Sequence, residues 1–465
     1  MGFRLSEHKS IHIQFEEIQN NTLNLDSVTL FETVKSKRFN QSSHCFIVSH
    51  SETGLHLQAD YCIGLDWLGN TGRSLYIEPK INATSAQLFN LKIEDESEEV
   101  QGEPEIFNSK EFELDYLKML LQVTGIPESN AVINGLIQID WEAKPIAIEQ
   151  QNDKLTPFLV VRFLQTLKSI VRKGLKKSYY KVQENLTNRV KGKILVGQHI
   201  KQNVFRNRFI STYCEYQQFG ENHVENRFLK KVMLFASSYV ENHKDLFGSN
   251  YSDIQHTINF CHPAFELISD QVEEYQLKHI KHNPFYKDYA TALQIGSYIL
   301  KKFAYNITQT TTEKVTTPPF WIDMPRLFEL YVYSKMIEAN PADRKTIHYQ
   351  FSTFGNALDI LVSKPDFQMV IDAKYKLKYN NENGTIHEDI RQVAGYARLK
   401  KVREKLNVTD DSTIDCLIIY PDMENGINIL SFENIMKEEN RKEIKAYYKV
   451  YKLGVKLPYI ERNYL

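Results

Sequence analysis

The start of the chain alternates between apolar and polar residues. The alternation is clearest at Ile11–Phe15, His44–Val48 and Leu75–Glu78, and Gly69-Asn70 supplies a turn signal before the last of these segments. A period of two residues is typical of strands that bury one face. The pattern therefore predicts a small β-rich domain over residues 1–91.

The middle of the chain changes to a helical period. Apolar residues recur there at intervals of three and four positions, as on the buried face of an amphipathic helix. The segments with this period are Leu114–Pro127, Leu159–Val182, Glu225–His243 and Tyr289–Ile307. Pro318-Pro319 then interrupts the chain, so we expect a mainly helical middle region over residues 114–317 and a further domain over residues 318–465.

Residues 92–113 separate the first two of these regions. They include nine acidic residues, a Gly-Glu-Pro sequence and few apolar side chains. A segment of this composition cannot bury enough apolar surface to fold by itself. We therefore predict a solvated acidic linker or loop.

Two apolar segments of the C-terminal domain flank a turn at Lys364–Phe367. If they pair antiparallel about the middle of that turn, Asp359 falls opposite Asp372, and Lys374 projects from the same face. The other face then carries only the apolar side chains of Leu358, Ile360, Val362, Met369, Ile371 and Ala373. Because directly opposed β-carbons lie about 4.5–5.5 Å apart, two carboxylates at these positions could share one cation.

Two carboxylates beside a lysine suit phosphodiester hydrolysis. Asp359 and Asp372 would hold Mg²⁺, for which Mn²⁺ can substitute, with the backbone carbonyl of Ala373 as a further ligand. The ion would bind a phosphate oxygen and a water molecule and would lower the pKa of that water. Lys374 would orient the water and stabilise the charge that develops at phosphorus. The alternative is a charged, solvent-facing sheet in which Lys374 offsets the two acids.

Helices predicted on either side of the hairpin add candidate residues. Glu329 lies on the first, Met324–Tyr333, from which it could either reach the metal or face solvent. Gln392 and Tyr396 are one turn apart on the second, Ile386–Leu406. That spacing suits the edge of a metal or phosphate site, and it suits a structural Gln–Tyr pair equally well.

The last apolar segments complete an α/β arrangement. Ile414–Tyr420 is apolar after Asp415, as expected of a buried central strand, and Ile427–Leu430 predicts a further strand. The C-terminal domain should therefore contain a helix, a hairpin, a helix and two strands in that order. We predict a multidomain α+β protein with an N-terminal β-rich domain, a central helical region and a C-terminal α/β nuclease core.

Composition narrows the class of protein. The chain has 465 residues, of which 42% are hydrophobic and 25% charged, and this balance is typical of a folded soluble protein. No apolar run approaches the roughly 18 residues of a membrane span. The five cysteines show neither a CxxC pair nor zinc-site spacing, which favours a cytoplasmic protein with reduced thiols. A net charge of −1 argues against a general nucleic-acid coat protein.

Basic residues are nevertheless concentrated in residues 162–208. This segment contains thirteen Lys or Arg residues and a single acid, Glu184. It could neutralise phosphates of double-stranded DNA, or it could be a solvated helix face that pairs with the acidic linker. The DNA-binding candidates are Arg172, Lys173, Lys176, Lys177, Arg189, Lys191 and Lys193.

The C-terminal motifs resemble a nuclease superfamily. The sequence LDI followed by IDAKYK, between an LFELYV helix and a QVAGYA helix, resembles the PD-(D/E)xK core. By this resemblance Asp359 is the first aspartate of the motif, with Leu358 in place of the usual proline. The literal dipeptide Pro365-Asp366 lies inside the turn and is not expected to bind metal. Gln392 and Tyr396 resemble the QxxxY signature found in part of the superfamily.

A second resemblance extends over most of the chain. Residues 174–194 are similar to the GL…Y…E.L…RGRI region of McrC proteins, Glu225–Lys230 to their ENR.LK helix, and Leu75–Ile81 to their L.I.PKI strand. McrC is the nuclease subunit of McrBC modification-dependent restriction systems, which act in phage defence. The resemblance implies a 5-methylcytosine-type DNA target and an McrB-like AAA+ GTPase ring as partner. McrC-like subunits engage and stimulate this ring through the N-terminal domain, and the ring supplies recognition and translocation.

Two other functions stay open. The chain has no G-x4-GK[ST] sequence, so any nucleotide-driven motor has to come from another protein. A stand-alone PD-(D/E)xK nuclease would cut DNA without a partner. A non-catalytic adapter would stimulate a ring NTPase without cutting DNA.

Overall fold

The computed structural model describes residues 2–15, 26–41, 43–82, 111–124, 135–149, 153–272, 286–308, 314–353, 356–380 and 387–462. The chain divides into two compact units, one of residues 1–148 and 316–465 and the other of residues 149–315. Helices and strands are mixed in both units, as expected of a multidomain α/β protein. None of the helices in the described residues is long and apolar enough to cross a membrane.

The described elements are numbered in chain order. The strands are β1 (Phe3–Ser6), β2 (Ser10–Gln14), β3 (Lys37–Arg38), β4 (His44–Ser51), β5 (Gly54–Ala59), β6 (Cys62–Trp67), β7 (Ser74–Glu78), β8 (Glu111–Leu114), β9 (Ile137–Ile139), β10 (Ile146–Glu149), β11 (Ser178–Thr187), β12 (Lys193–Ile194), β13 (Ser211–Gly220), β14 (Lys314–Thr317), β15 (Phe320–Asp323), β16 (Ile347–Thr353), β17 (Asn356–Lys364), β18 (Phe367–Ala373), β19 (Asp415–Pro421), β20 (Arg441–Glu443), β21 (Val450–Val455) and β22 (Tyr459–Arg462). The α-helices are α1 (Asp26–Glu32), α2 (Tyr116–Thr124), α3 (Leu155–Lys173), α4 (Val196–Gln202), α5 (Val224–Asn242), α6 (Lys244–Phe247), α7 (Tyr251–Cys261), α8 (Lys287–Thr308), α9 (Met324–Ala339), α10 (His387–Ala397), α11 (Lys400–Lys405) and α12 (Phe432–Met436).

The N-terminal part of the first unit is built from two sheets. Their strand orders are β1-β7-β6-β15-β9 and β2-β5-β4-β3. The three segments predicted as strands are confirmed as β2, β4 and β7. Leu55, Leu57 and Leu75 alternate with more exposed residues and enter a shared core that also contains Trp321.

Strand β15 follows the Pro318-Pro319 break, where the sequence predicts that a new domain begins. The structure instead inserts this strand into the N-terminal sheet, with Phe320 opposite Leu65 and Ile322 opposite Ile63. Proline pairs interrupt regular structure but do not report which sheet the next strand joins. Which sheet β15 joins is therefore decided only by pairing in the tertiary structure.

The C-terminal part of the same unit contains a six-stranded mixed sheet in the order β16-β17-β18-β19-β21-β20. β17 and β18 are antiparallel, whereas β18, β19 and β21 run parallel. Leu361 and Val370 lie in one buried cluster with Ile390 and Val393 of α10. The face predicted to carry the carboxylates is therefore covered by a helix, so it is not a solvent-facing surface.

Two predictions in this part of the chain are wrong. Ile427–Leu430 is not a strand, because only Ile427 forms an isolated bridge, to Val455, and Ile429 is exposed. The predicted helix Ile386–Leu406 is interrupted between α10 and α11. A segment of four alternating residues is too short to predict a strand, because a neighbouring segment can pair with the sheet more favourably, as β21 does here.

The second unit packs α3, α5, α7 and α8 around buried side chains such as Leu159, Phe163, Phe228 and Val232. The helix predicted over Leu159–Val182 is too long, because α3 ends at Lys173 and Gly174 follows with φ of 89°. Glycine adopts this backbone region without the steric cost that a side chain would add.

A three-stranded antiparallel sheet, in the order β11-β13-β12, follows α3. The prediction of a mainly helical middle region is therefore wrong between residues 178 and 220. The aromatic and β-branched residues at Tyr179, Tyr180 and Val182 favour strand, but they directly follow a helical period that continues into them and hides this preference.

The acidic segment is described only at its end. Residues 92–110 lie outside the described residues, and Glu111–Leu114 forms β8, which pairs antiparallel with β22. The last residues of the predicted linker are thus part of a two-stranded sheet. Long-range pairing with the C-terminal segment provides backbone hydrogen bonds that composition alone does not indicate.

Candidate active site

The β17–β18 hairpin adopts the register predicted from its turn. Ile360 lies opposite Ile371, so the numbers of paired residues have the predicted sum. Regular pairing ends there, and the Asp359 carboxylate then accepts a 2.8 Å hydrogen bond from the backbone N–H of Ala373. The register prediction is confirmed, and the Asp359 side chain lies at the end of β18.

Asp372 is the most deeply buried acid of this group. Its side chain is 1% exposed, and Lys374 Nζ lies 2.9 Å from its Oδ2. Neither oxygen has a well-aligned hydrogen-bond partner among the described residues. The Asp359 carboxylate lies at the same strand end, because it accepts its hydrogen bond from the N–H of Ala373, the residue after Asp372. A buried carboxylate with so few donors is costly unless a further ligand satisfies it.

Lys374 connects this acid to helix α10. Its ammonium donates a 3.0 Å hydrogen bond to Gln392 Oε1, and Gln392 Nε2 donates a 2.7 Å hydrogen bond to Tyr396 OH. Burial lowers the pKa of Lys374, but the charge and hydrogen bond of Asp372 outweigh that effect, so the pKa is raised. The three side chains form a continuous hydrogen-bonded row beside Asp372.

Glu329 approaches the same acids from helix α9. It is half-buried, and Tyr349 OH donates a 3.5 Å hydrogen bond to its Oε2. Burial, followed by repulsion from Asp323 and Asp372, raises the pKa of Glu329 to about 7. Glu329 is therefore not a fully solvent-facing residue, and its reach to a metal stays a prediction.

Burial has the largest effect on the electrostatics of the acids. Burial, followed by the charges of Glu329 and Asp372, raises the pKa of Asp359 well above its usual value. Burial also raises the pKa of Asp372, although Lys374 opposes this shift. The protein thus gathers three carboxyl groups near one ammonium group, and added positive charge would relieve their repulsion.

The donor atoms of the site fit a hard divalent cation in part. Across the described residues, no group of three or more His, Cys, Asp or Glu side chains is arranged to hold a metal ion. Asp359 and Asp372 offer two carboxylates, and the latter has buried oxygens without well-aligned partners. Mg²⁺ and Mn²⁺ prefer such oxygen ligands and commonly take only one or two carboxylates from a protein.

Ala373 is placed to add a main-chain oxygen. Its N–H points to Asp359, whereas the next N–H, of Lys374, points the other way to the carbonyl of Ile419 at 2.8 Å. The N–H and C=O of an extended residue project to the same edge of the strand. We therefore expect the Ala373 carbonyl to point towards the Asp359 side.

The literal Pro365-Asp366 dipeptide lies at the opposite end of the hairpin. Both residues are exposed in the turn. Asp372 lies six positions beyond Asp366 along an extended strand, a distance of roughly 20 Å. A cavity of about 200 Å³ lies at this end and is lined in part by Asp366, Ser412 and Lys449, so it does not coincide with the acids.

Some of the basic candidates are held in ion pairs within the second unit. Lys176 contacts Glu225 at 2.5 Å, and both side chains are largely buried. The exposed ammonium group of Lys173 lies 2.6 Å from Asp288. Lys177 is 57% exposed and lies 3.7 Å from Glu221. The Arg172 guanidinium lies 5.8 Å from the centre of the Phe260 ring.

The remaining basic candidates surround the β12 edge. Arg189 is 70% exposed and lies 3.9 Å from Glu184. Lys191 Nζ lies 3.9 Å above the centre of the Tyr216 ring, and Lys193 is exposed on β12. Lys176 is therefore part of the packed structure of the second unit, whereas Arg189, Lys191 and Lys193 are more exposed, on and beside the small sheet.

Exposed apolar side chains are concentrated in the same part of the chain. Phe205 and Phe209 are 79% and 75% exposed. The other large apolar residues exposed between 190 and 210 are Val190, Ile194, Val196, Ile200, Val204 and Ile210. Such concentrations on a soluble protein usually mark a surface that binds another molecule.

Sequence reasoning missed two groups that hold the segment after β18. Lys376 donates hydrogen bonds of 3.0 and 2.9 Å to Asp389, which also accepts a 2.9 Å bond from Tyr379 OH. Lys80 donates a 2.8 Å hydrogen bond to the Tyr375 carbonyl. The second lysine of IDAKYK is a signal for the first group, whereas no local pattern joins Lys80 to a residue 295 positions away.

One family model matches most of the chain. Residues 92–421 match the family model described as McrBC 5-methylcytosine restriction system component. Two solved structures from Thermococcus gammatolerans are similar: a half-complex of McrB AAA+ hexamers with bound McrC (14% identity, 98% of this chain, 94% of that chain, TM-score 0.38) and the McrBC complex (14% identity, 73% of this chain, 88% of that chain, TM-score 0.27). No curated protein matches the sequence significantly.

Proposed function

The chain belongs to the McrBC 5-methylcytosine restriction system component family, and we propose that it is the DNA-cutting subunit of such a system. The observation that carries this proposal is the buried Asp372 carboxylate, which lies 2.9 Å from Lys374 Nζ at the strand end where the half-buried Asp359 carboxylate accepts a hydrogen bond from the Ala373 N–H. This arrangement matches what metal-assisted phosphodiester hydrolysis requires. The chemistry is that of a PD-(D/E)xK endonuclease.

Asp359 and Asp372 would hold Mg²⁺ or Mn²⁺, with the Ala373 carbonyl as a third ligand. When bound, such an ion supplies charge stabilisation at the phosphate and a more acidic water. Asp359 is held by its hydrogen bond to the Ala373 N–H and Asp372 by the pairing of β18 with β19, so little reorganisation would accompany metal binding. Their raised pKa values indicate that each would gain from a nearby cation.

Lys374 would act on the phosphate and on the attacking water. Its ammonium group is fixed between Asp372 and Gln392, at 2.9 and 3.0 Å, so its donors are oriented before substrate arrives. A pre-oriented cation stabilises developing negative charge without further rearrangement. Gln392 positions this lysine, and Tyr396 in turn positions the Gln392 amide.

Glu329 would act as a proton acceptor or as a water ligand. Its pKa of about 7 allows it to exchange a proton near neutral pH, which suits a general base. Its carboxylate shares the electrostatic environment of Asp359 and Asp372. From the same position, Glu329 would alternatively orient a metal-bound water molecule.

Double-stranded DNA would contact the exposed basic residues. Lys177, Arg189, Lys191 and Lys193 are the best candidates, because their contacts leave them more exposed than Lys176. Lysine and arginine contacts to phosphates bring affinity that falls steeply with salt. Recognition of the modified base would then belong to the partner.

A GTP-hydrolysing AAA+ ring of the McrB type is the proposed partner. Family membership supports it, and the chain has no P-loop sequence of its own. The N-terminal β-rich region is one proposed contact, and the exposed apolar residues between 190 and 210 are another. The partner would provide translocation, and this chain would stimulate its GTPase.

DNA cleavage by matched variants tests the proposal. We expect the full chain to cut 5-methylcytosine-containing duplex with its AAA+ partner, GTP and Mg²⁺. Asp359→Asn and Asp372→Asn should each lower the cutting rate by roughly 100-fold or more, because each removes a metal ligand. Asp366→Asn is the control, since it alters an aspartate of the same hairpin that lies in the exposed turn.

The outcomes distinguish the competing functions. Equal cutting by wild type and Asp372→Asn would refute the site. Cutting by the chain without the ring would favour a stand-alone nuclease. Stimulation of GTP hydrolysis without any DNA cleavage would favour a non-catalytic adapter.

A further inference from the structure

Lys80 is a buried cation that lies outside the proposed catalytic group. It follows β7 in the PKI sequence and is 6% exposed. Its Nζ donates a 2.8 Å hydrogen bond to the backbone carbonyl of Tyr375. A side chain from the N-terminal part of the unit thus holds the residue immediately after Lys374.

Aromatic and acidic groups fix the Lys80 side chain. Its Nζ lies 4.4 Å from the centre of the Tyr375 ring, and this ring also contacts Phe328 of α9 at a centroid distance of 5.8 Å. Glu7 accepts a 2.9 Å hydrogen bond from the Lys80 backbone N–H and a 3.3 Å bond from Tyr375 OH. Since Glu7 is fully buried, its hydrogen bonds to the Lys80 backbone and to Tyr375 have few other arrangements available.

The backbone beyond β18 needs such support. β18 ends at Ala373, and the following residues are not part of a strand ladder. Lys374 N–H still bonds to Ile419, and Lys376 is tied to Asp389, so Lys80 supplies the intermediate attachment at Tyr375. These attachments fix the backbone from which the Lys374 side chain projects.

We propose that Lys80 is a positioning residue for the nuclease reaction, which acts by holding the Tyr375 carbonyl so that Lys374 stays aimed at Asp372 and the substrate phosphate. The inference rests on the proposed function. A displacement of about 1 Å at a reacting group can lower a rate by up to about 100-fold. The PKI sequence therefore contributes to the catalytic geometry of a site far along the chain.

The chemistry of Lys80 favours this role over simple packing. Burying an ammonium group has a desolvation cost that an apolar side chain of similar length would avoid. An apolar side chain could fill the same space but could not donate a hydrogen bond to the Tyr375 carbonyl. Lys80→Met is therefore the informative variant, because it keeps the length of the side chain and removes only the donor and the charge.

Single-turnover cleavage by the full chain, with its AAA+ partner, GTP and Mg²⁺, separates positioning from folding. For Lys80→Met we expect the rate constant to fall by roughly 10- to 100-fold while the fraction of DNA finally cut stays complete. The control is Lys37→Met, which removes an ion pair with Asp66 in the N-terminal sheets. The control should cut at the wild-type rate constant.

A second variant covers the case in which Lys80→Met does not fold. Glu7→Gln combined with Lys80→Met removes both buried charges but still lacks the donor to Tyr375, so it should show the same loss of rate. DNA affinity measured in EDTA should equal that of wild type for both variants.

Three results would contradict the inference. A wild-type rate constant in the folded variant overturns it. A reduced cut fraction at an unchanged rate constant also overturns it, because that pattern reports loss of folded protein alone. With either of these two results, the proposed function stands as long as the wild-type chain cuts DNA. The third result, absence of cutting by wild type, would refute both the proposed function and the role of Lys80.

Discussion

At the scale of single residues, the candidate site is defined by acids that are largely buried close to one another's charge. Burial, followed by neighbouring charges, raises the pKa values of Asp359, Asp372 and Glu329, and Lys374 Nζ, 2.9 Å from Asp372, supplies positive charge. Without a cation, ionised acids in this position oppose folding. The arrangement is costly for stability and is understandable as a feature retained for function.

Glu329→Gln should therefore stabilise the metal-free protein at high pH. The folded pKa of about 7 exceeds the ordinary value of 4.5, so wild type loses stability as pH rises from about 4.5 to 7. The neutral amide does not undergo this loss. Thermal melts in EDTA should show a higher melting temperature for the variant at pH 8 and a difference near zero at pH 4.5. A constant difference across this range would contradict the assigned cause.

Addition of Mg²⁺ or Mn²⁺ should raise the melting temperature of wild type. A ligand present at 100 times its dissociation constant stabilises the folded state by about 2.7 kcal/mol. Asp372→Asn should lose this response because it removes a carboxylate from the site, whereas Asp366→Asn should keep it. Differential scanning fluorimetry with a metal titration measures the effect. An equal shift in all three proteins would place the ion elsewhere.

At the scale of elements, the helix α5 and the end of α3 show that family-like motifs can be structural. Asn226 donates hydrogen bonds to the carbonyls of Lys176 and Glu221 at 3.0 and 2.8 Å, and it accepts one from Tyr289 OH. Lys176 Nζ in turn contacts the buried Glu225. These contacts anchor the segment that leads into β11, so they explain the ENR sequence without a binding role.

Lys176→Ala and Lys193→Ala should consequently have different effects. Loss of Lys176 leaves Glu225 buried without its ion-pair partner and should lower the free energy of unfolding by about 1–3 kcal/mol. Lys193→Ala should leave stability unchanged but weaken DNA binding and reduce the salt dependence by about one released ion. Urea denaturation and DNA titrations over a range of salt measure the two effects. Equal loss of DNA affinity in two equally stable variants would contradict the distinction.

At the scale of the whole molecule, the proposed attachment to a partner ring has the largest consequences. Eight large apolar residues between 190 and 210 are exposed, and several basic residues lie among them. Exposure of so many apolar side chains to water is energetically unfavourable, and a surface of this composition suits binding to another molecule. It adds a second candidate contact to the N-terminal region that the family resemblance implies.

Phe205→Ser combined with Phe209→Ser should weaken association with the AAA+ ring by roughly 10-fold or more, since aromatic side chains commonly dominate interfaces. The melting temperature should not change, because both side chains are exposed. Leu267→Ser is the matched control, as Leu267 is 94% exposed in the same unit. Sedimentation or interferometry with the purified ring measures affinity. Unchanged binding by the double variant would leave the N-terminal region as the proposed contact.

Sequence alone was informative wherever a physical constraint was local. The turn at Lys364–Phe367 fixed the hairpin register, because in an antiparallel pair one turn sets every later pairing. The same register put Asp359 near Asp372, and the spacing of Gln392 and Tyr396 gave a hydrogen bond of 2.7 Å. Strong helical periods likewise predicted α5 and α8 close to their observed positions.

Tertiary structure decided the features that depend on distant segments. Sequence periodicity could not reveal that β15 joins the N-terminal sheet, that a helix covers the carboxylate face, or that β11 replaces the end of a predicted helix. Strand partners and buried polar contacts are selected by the free energy of the assembled core, so they do not follow from neighbouring residues. The residues of the proposed chemistry were therefore readable from the chain, whereas their burial, their raised pKa values and the support from Lys80 arise only when remote segments pack together.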